Sequence, residues 1–373
     1  MIRIGITGQA GFVGTHLFNL AKTRPEQFTC IPFEDAFFDD EAALRAFVRQ
    51  CDAIVHLAAM NRHPDPEVIY QTNLTLVDKL IAAMEAEKVT PHVLFSSSTQ
   101  EERDNLYGAS KREGRERLAA WAKRTGAQFT GCVIPNVFGP YGRPFYNSVV
   151  ATFCHQLTHG ETPAIQVDGL IKLVYVGDLC DDMLQIITQG EIADVRPIAH
   201  RSECYVSELL AHFTAFKATY FDKGVIPDLK TRFEVQLFNT FCAYINHKTF
   251  FPFALKANTD DRGTFVETLR LEGIGGQVSF STTKPGITRG NHYHTRKIER
   301  FAVIKGKAQI QIRRIGTDEV ITFELDGAQP AFVDMPVWAT HNITNIGEEE
   351  LYTLFWINEF YNPEDPDTFF EKV

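Results

Sequence analysis

A doubly wound α/β domain with a parallel sheet, followed by an all-β domain, is the fold class that this sequence predicts. Three observations lead to it. The glycine-rich turn at residues 7–14 (TGQAGFVG) stands between a short apolar run and a helical pattern, the setting of a strand–turn–helix unit. Apolar runs then alternate with helical patterns through the first half, the rhythm of a parallel sheet. After Pro252 the pattern changes to short β-rich pieces divided by Gly, Asp and Asn. The boundary is therefore expected near residue 247, with one domain over 1–246 and a second over 247–373.

In chain order, residues 2–7 read as the first strand, the segment after Gly14 as a helix, and 53–57 as the next buried strand. Residues 73–86 read as a helix, 93–97 as a strand, 107–124 as a charged amphipathic helix and 128–134 as a strand. Between 142 and 251 the order is less regular; helical patterns at 206–216 and 231–244 are assigned to a substrate-side lobe. The β-rich part contains candidate strands at 277–283, 301–304, 308–312 and 351–357. No internal repeat, low-complexity stretch or long flexible linker interrupts the pattern, so packed domains are expected.

Composition narrows the function. A length of 373 residues exceeds what one hydrophobic core usually supports, and 44% apolar content is ordinary for a soluble globular chain. The formal charge of −10 leaves no basic field for nucleic acid or an anionic membrane, so any phosphate must be met by a dedicated local site. The first strand follows Met1 without a charged region and long apolar run, and no later stretch approaches a membrane span; the cytosol is the expected compartment. Seven cysteines are scattered without a CXXC pair and read as reduced packing residues.

Glycines at 8, 11 and 14 permit a tight turn and close backbone approach, and the helix opening at Phe12 and Val13 offers free amides and a positive dipole to a pyrophosphate. Alone, such a turn is also an ordinary strand-to-helix connection. Tyr107 and Lys111 lie four apart and share a helix face, where the ammonium favours the ionised phenol. They follow Ser96, Ser97 and Ser98, hydroxyls at the carboxyl edge of a parallel sheet, where such folds bind ligands.

The TGXXGXXG turn, the His56-Leu57-Ala58-Ala59 segment, Asn73, the serine strand end and YXXXK together resemble the extended short-chain dehydrogenase/reductase family over residues 1–245. The resemblance implies a Rossmann domain that binds NADPH, with NADH also compatible. Its cofactor contacts would be Gly8, Gly11, Phe12, Val13, Gly14, Leu57, Ala58, Ala59, Asn73, Tyr107 and Lys111. It implies that Tyr107 protonates a ketone oxygen as hydride reaches carbon, that Lys111 holds the ribose and tunes Tyr107, and that Ser98 hydrogen-bonds the carbonyl. Related dehydratases carry Asp-Glu after the active hydroxyl; Thr99-Gln100 stands here, which favours reduction over dehydration. Residues 136–140 (NVFGP) are similar to the family's NVYGP segment and make Asn136 and Arg143 candidate substrate contacts, although Arg143 equally fits a structural turn. Glu34 or Asp35 is the candidate acid for a ribose 2′-hydroxyl, with a solvated loop as the alternative.

In the β-rich part, Gly286, His292, His294, Glu299 and Gly306 have the spacing GX5HXHX4EX6G, and Pro336, His341 and Asn345 follow as PX4HX3N. His292 and His294 are i and i+2 on a strand, hence on one face, and Glu299 and His341 complete a four-ligand set. The two signatures resemble metal-binding cupins, which implies an all-β jelly-roll. The ligand set suits Zn²⁺, with Fe²⁺, Ni²⁺ or Mn²⁺ also compatible, and four protein ligands also describe a closed structural site. Trp338 stands where the second signature usually has glycine, and either narrows the pocket or changes the turn. Residues 260–267 (DDRGTFVE) are similar to the DXRGXFXE segment of the dTDP-sugar 3,5-epimerase cupins, which would place Arg262 on a nucleotide diphosphate; a surface turn is the alternative.

Taken whole, the chain resembles the CapF/WbjC-type bifunctional UDP-sugar reductase/epimerase family of bacterial capsule and O-antigen synthesis; residues 146–148 (YNS), 284–292 and 366–368 (PDT) add to the match. The resemblance implies C3 epimerisation of a UDP-2-acetamido-2,6-dideoxy-4-hexulose in the cupin, then NADPH reduction at C4, in a homodimer. The order is chemically coherent, because a C4 ketone acidifies the C3 hydrogen until hydride removes the activating carbonyl. The alternatives are a reductase with a structural cupin and a sugar-nucleotide or redox sensor without turnover.

Overall fold

The computed structural model describes residues 1–261, 263–266, 268–273 and 276–373. Arg262, the expected diphosphate contact, lies outside the described residues. The chain forms two compact units, Met1–Val149 with Gly169–Tyr205, and Val150–Asp168 with Val206–Val373. The chain passes between the units after residues 149, 168 and 205.

The first half runs β1 (Ile2–Thr7), α1 (Phe12–Lys22), β2 (Phe28–Ile31), α2 (Glu41–Val48), β3 (Ala53–His56), α3 (Pro66–Glu87), β4 (His92–Ser98), α4 (Leu106–Thr125) and β5 (Phe129–Ile134). Next come β6 (Asn136–Phe138), α5 (Val149–Thr158), β7 (Leu170–Tyr175), α6 (Val176–Gln189), β8 (Ala193–Pro197) and β9 (Ser202–Tyr205). Six strands form a sheet in the order β2-β1-β3-β4-β5-β8, every neighbouring pair parallel. Alternate strand residues feed two separate cores. Ile4, Ile6, Val55 and Leu94 pack with Leu17 of α1 and Leu179, Met183 and Ile187 of α6. Ile54, Val93 and Phe95 pack on the opposite face with Phe47, Leu80, Leu118 and Trp121 of α2, α3 and α4. Helices on both faces of a parallel sheet make this unit Rossmann-like, and the strand order reverses at β1 and β3, which opens a crevice at their carboxyl ends. Helix ends follow local chemistry. Asp65 caps α3 through Glu67 N with Pro66 in the first turn, so this helix begins before the predicted residue 73. Asn105 caps α4 through Gly108 N at 2.7 Å. A small sheet, β6-β7-β9, takes two of its strands, β7 and β9, from the region between 142 and 251 whose order the sequence left unclear.

The second unit takes in α5 and, from residue 206, runs through α7 (Val206–Phe216), α8 (Arg232–Cys242) and α9 (His247–Phe250). Strands β10 (Phe253–Ala254), β11 (Ala257–Asp260), β12 (Gly263–Val266), β13 (Gln277–Thr283), β14 (Thr288–Tyr293), β15 (Glu299–Lys305) and β16 (Lys307–Arg314) come next. They are followed by β17 (Val320–Asp326), β18 (Ala331–Met335), β19 (Ala339–Asn345), β20 (Leu351–Ile357) and β21 (Phe369–Phe370). Two five-stranded antiparallel sheets result, β10-β18-β15-β20-β13 and β17-β16-β19-β14-β21. Period-two alternation explains their faces: Ala308, Ile310 and Ile312 of β16 are buried while Gln309, Gln311 and Arg313 are not. Inward residues of the two sheets meet, with the Phe301 ring of β15 against His341 of β19.

On the other face of β15, Arg300 and Asp334 are opposite one another and pair through two hydrogen bonds of 2.8 and 2.9 Å. The Tyr220 hydroxyl donates to the same carboxylate, and Arg300 also donates to Gly224 O at 2.9 Å. This buried ion pair fastens the segment after α7 to the sheet. Among the described residues no helix is long and apolar enough to cross a membrane.

Candidate functional site

At the end of β1 the chain turns through Gly8, whose φ of +69° is a left-handed conformation. A Cβ on Gly8 would sit 2.9 Å from Ala58 N and Cα, and one on Gly14 would sit 2.2 Å from Gly8 O. Backbone therefore meets backbone where β1 and β3 diverge, a cradle that only glycine leaves open. Gly11 caps α1 without a side-chain hydrogen bond and no acidic residue stands in the first turn, so the positive end of α1 at Phe12 and Val13 has no carboxylate of its own helix. Leu57 and Ala58 are held beside this turn, as Leu57 N donates to Thr7 O and Ala58 N to Thr7 Oγ1, both at 3.3 Å. Ala59 follows, half-buried. Asn73 is used differently. Its Oδ1 accepts from Met60 N at 2.7 Å and its Nδ2 donates to Met60 O and Ser110 Oγ, so its side chain braces the segment after β3. Glu34 and Asp35, the candidate ribose acids, are both exposed, and Phe33 N between them and β2 donates to Gln9 Oε1 at 3.0 Å.

At the carboxyl end of β4 and the start of α4, Ser98, Tyr107 and Lys111 come together. Lys111 is 4% exposed and its Nζ donates to Ser96 O at 2.9 Å. Burial lowers its pKa to about 8, against the opposing pull of Glu101. Burial also pushes the Tyr107 phenol up to about 12, with the neighbouring Tyr146 adding to the shift and a hydrogen bond with Ser98 opposing it. The direction is the reverse of that expected from a neighbouring ammonium. Desolvation of the buried phenol is the largest cause. A phenol held protonated is a proton donor. Ser98 Oγ also accepts from Gln100 N at 3.2 Å, which fixes the turn after β4.

Sequence reasoning missed two features of this region. Glu101 is buried, accepts from Ser97 Oγ and pairs with Arg115 through contacts of 2.8, 2.9 and 3.2 Å, so it is a structural anchor of the β4–α4 turn. Tyr146 is the second: Asn61 N donates to its hydroxyl at 3.4 Å, and Arg62 Nη1 donates to Phe145 O at 2.6 Å. The guanidinium of the exposed Arg143 lies 5.2 Å from the Tyr146 ring centroid. Asn136, exposed on β6, donates to Lys172 O at 3.2 Å.

In the second unit, His292, His294, Glu299 and His341 converge, with one donor atom from each lying within 4.8 Å of the others. Three imidazole nitrogens surround one carboxylate oxygen: Nε2 of His292, His294 and His341 are 3.7, 3.2 and 2.8 Å from Glu299 Oε2. Burial alone would raise the Glu299 pKa, but the three imidazoles around it, with His341 hydrogen-bonded at 2.8 Å, outweigh it and hold the carboxyl well below its usual range. Nδ1 of His341 faces Ala339 O at 3.1 Å and Nδ1 of His294 faces Asp367 O, so each Nε2 can present a lone pair inward. His294 Nε2 is buried without a well-formed hydrogen bond despite its nearness to Glu299. An orphaned imidazole nitrogen beside an ionised carboxylate fits a divalent cation, and this donor set is one that zinc accepts. Trp338 has φ +61°, the glycine-like conformation, and its ring stacks on Tyr293. Tyr293 stands between the two histidines in sequence, so the indole packs on the side chain that separates them.

The chain matches the model of the NAD dependent epimerase/dehydratase family over residues 4–197 and that of the polysaccharide biosynthesis C-terminal domain over residues 258–369. It is 34% identical over 377 aligned residues to a UDP-2-acetamido-2,6-beta-L-arabino-hexul-4-ose reductase of Pseudomonas aeruginosa, covering 99% of this chain and 98% of the relative. The chain belongs to the NAD dependent epimerase/dehydratase family. The crystal structure of the capsular polysaccharide assembling protein CapF from Staphylococcus aureus covers all of both chains at 32% identity, with a TM-score of 0.61. The CapF/WbjC-type resemblance read from the sequence is thus shown over both units. A further solved structure, RMD from Pseudomonas aeruginosa complexed with NADPH, matches 58% of this chain and 83% of its own at 21% identity and a TM-score of 0.53, a likeness of fold. Within the family match fall Gly8, Asn73, Ser98, Tyr107 and Lys111; within the C-terminal match fall the four metal-ligand candidates and Arg262.

Proposed function

We propose that this protein is a bifunctional sugar-nucleotide enzyme that reduces the C4 ketone of a UDP-2-acetamido-2,6-dideoxy-4-hexulose in its first unit, after inverting C3 of the same sugar in its β-rich unit. The observation that carries the reductase reading is the convergence of Ser98, Tyr107 and buried Lys111 beside a backbone cradle at the carboxyl edge of the sheet. The names of the full-length relatives and their family agree with it.

A reduced nicotinamide, when held in this cradle, would supply the hydride. Gly8, Gly11 and Gly14 would admit a pyrophosphate to the amides of α1, with Leu57 to Ala59 beside the turn. Ser98 Oγ donates to the ketone oxygen, and the Tyr107 hydroxyl gives that oxygen its proton as the C4 carbon is reduced. Lys111 would place a positive charge beside the developing phenolate and would hold the ribose of a bound cofactor. Glu101 is locked by Arg115, and Thr99 and Gln100 carry no carboxyl, so the site lacks the acid–base pair of the family's dehydratases. Asn136 and Arg143 would contact the sugar nucleotide and Arg262 its diphosphate. NADPH is the preferred donor in this reading, with NADH compatible.

The β-rich unit is read as a metal-binding cupin with jelly-roll topology, in which His292, His294, Glu299 and His341 hold Zn²⁺ or a similar ion. A bound cation there supplies positive charge next to a polarised carbonyl. Epimerisation requires removal of the acidified C3 proton and its return to the opposite face; the base is unassigned. The enzyme is proposed to act in bacterial capsule or O-antigen polysaccharide synthesis, in the cytoplasm, as a homodimer, without nucleic-acid or membrane partners.

Mixing the protein with the UDP-ketosugar and NADPH, then NADH, tests the reductase: nicotinamide oxidation is expected, and Tyr107→Phe abolishes it while far-UV circular dichroism is unchanged. No oxidation with either donor refutes it. The buried four-donor set also favours a second reading, a closed structural metal site in a reductase without epimerase activity. Deuterium exchange at C3 without NADPH separates the two, since it occurs only if the β-rich unit is catalytic.

A further inference from the structure

We infer that Asp367 is a positioning residue of the metal centre, orienting His294 from a segment 73 residues away in the chain. The inference rests on the reading that His292, His294, Glu299 and His341 hold a divalent cation. His341 takes its orientation locally, from a carbonyl two residues earlier on the same strand. His294 does not. It lies just past the end of β14, and its Nδ1 donates to the main-chain carbonyl of Asp367.

That carbonyl is itself held in place. Asp367 is 3% exposed, and its φ of +42° is a left-handed conformation that Asp and Asn tolerate better than other residues with a Cβ. Its carboxylate gathers the turn between β14 and β15: Oδ1 accepts from Thr295 N at 3.1 Å and Thr295 Oγ1 at 2.6 Å, and Oδ2 from Arg296 N at 3.0 Å and Lys297 N at 3.2 Å. The residue before it is tied down as well, since Lys297 Nζ donates to Pro366 O at 2.7 Å. One residue thus holds the turn with its side chain and aims the preceding imidazole with its main chain. The proton on Nδ1 fixes the tautomer, and the orphaned Nε2 is left with its lone pair facing Glu299. Loss of the carboxylate frees three backbone amides and lets the Asp367 carbonyl drift from His294.

The test uses full-length protein stripped of metal and titrated with Co²⁺ and Zn²⁺ against a chelator of known affinity, for wild type, Asp367→Asn and Asp367→Ala, with thermal melting of each metal-free form. Wild type is expected to bind one ion. Asp367→Ala is expected to bind about 10- to 100-fold more weakly, with an altered visible Co²⁺ spectrum, and Asp367→Asn, which keeps the backbone preference and one acceptor, to fall between. A purely structural role would lower the melting temperature and leave affinity and spectrum as in wild type, and that result overturns the inference while sparing the metal site. Should Asp367→Ala fail to fold, Asp367→Asn decides: unchanged affinity and spectrum overturn the inference. If wild type itself binds no ion, the metal reading falls and this inference falls with it.

Discussion

Trp338 poses a question of sign, because it combines a glycine's backbone with a large buried ring. Its φ of +61° costs a residue with a Cβ about 1–2 kcal/mol relative to glycine. Its side chain, 6% exposed, stacks on Tyr293 at 5.7 Å, and Tyr293 stacks on Phe369 at 5.4 Å. Removing a buried Trp ring costs about 3–5 kcal/mol. Trp338→Gly regains the backbone term and loses the ring, for a net loss of about 1–4 kcal/mol. Trp338→Ala loses the ring and keeps the strained backbone, so it should be less stable than the glycine variant by about 1 kcal/mol. Urea melting of the metal-free protein by near-UV circular dichroism gives the order, with chelator fixed because a bound ion adds its own stabilisation. The expected order is wild type, glycine variant, alanine variant. A glycine variant as stable as wild type would mean that the stacked ring contributes nothing, and an alanine variant more stable than the glycine one would refute the backbone argument.

Three further outcomes are expected. Gly14→Ala places a Cβ where Gly8 O lies 2.2 Å away, so it should abolish binding of NADPH in a fluorescence titration; unchanged affinity contradicts the cradle. The folded pKa of Lys111 is depressed to about 8 and that of Tyr107 is raised to about 12, so kcat/KM for reduction should fall as pH rises through about 8, when Lys111 loses its charge, while Tyr107 stays protonated. A rate that stays flat far above that pH removes Lys111 charge from the mechanism. Asp334→Ala leaves Arg300, with a side chain 1% exposed, buried without its partner and should cost about 3–5 kcal/mol in urea melting; a loss near zero contradicts the ion pair's role in holding β15.

Much of the fold was legible because it is written locally. Ile4 and Ile6, the glycines at 8 and 14, and the spacing of Tyr107 and Lys111 each declare their element within a few residues, and His292, His294, Glu299 and His341 fell together as their spacing required. What escaped depends on distance in the chain. The start of α3 rests on the Asp65 cap and Pro66, turn residues that also suit a loop. The strands β6, β7 and β9 are short and pair across long separations. Asp367 reaches His294, and Arg300 with Asp334 reaches Tyr220, through contacts that no window of sequence displays. The direction of the Tyr107 pKa differs from that expected because the spacing showed its charged neighbour but not its burial. Trp338 departs from the motif's glycine yet keeps a glycine-like backbone, its ring stacked on Tyr293.

The most direct measurement is a turnover in D₂O with the UDP-ketosugar and protonated NADPH, with the product read by proton NMR. The account predicts a C4 alcohol carrying hydrogen delivered from the nicotinamide and a C3 position of inverted configuration carrying deuterium from solvent. A reduced product that keeps its original C3 hydrogen and configuration would show a reductase alone, and an unreduced sugar would contradict the role given to Ser98, Tyr107 and Lys111.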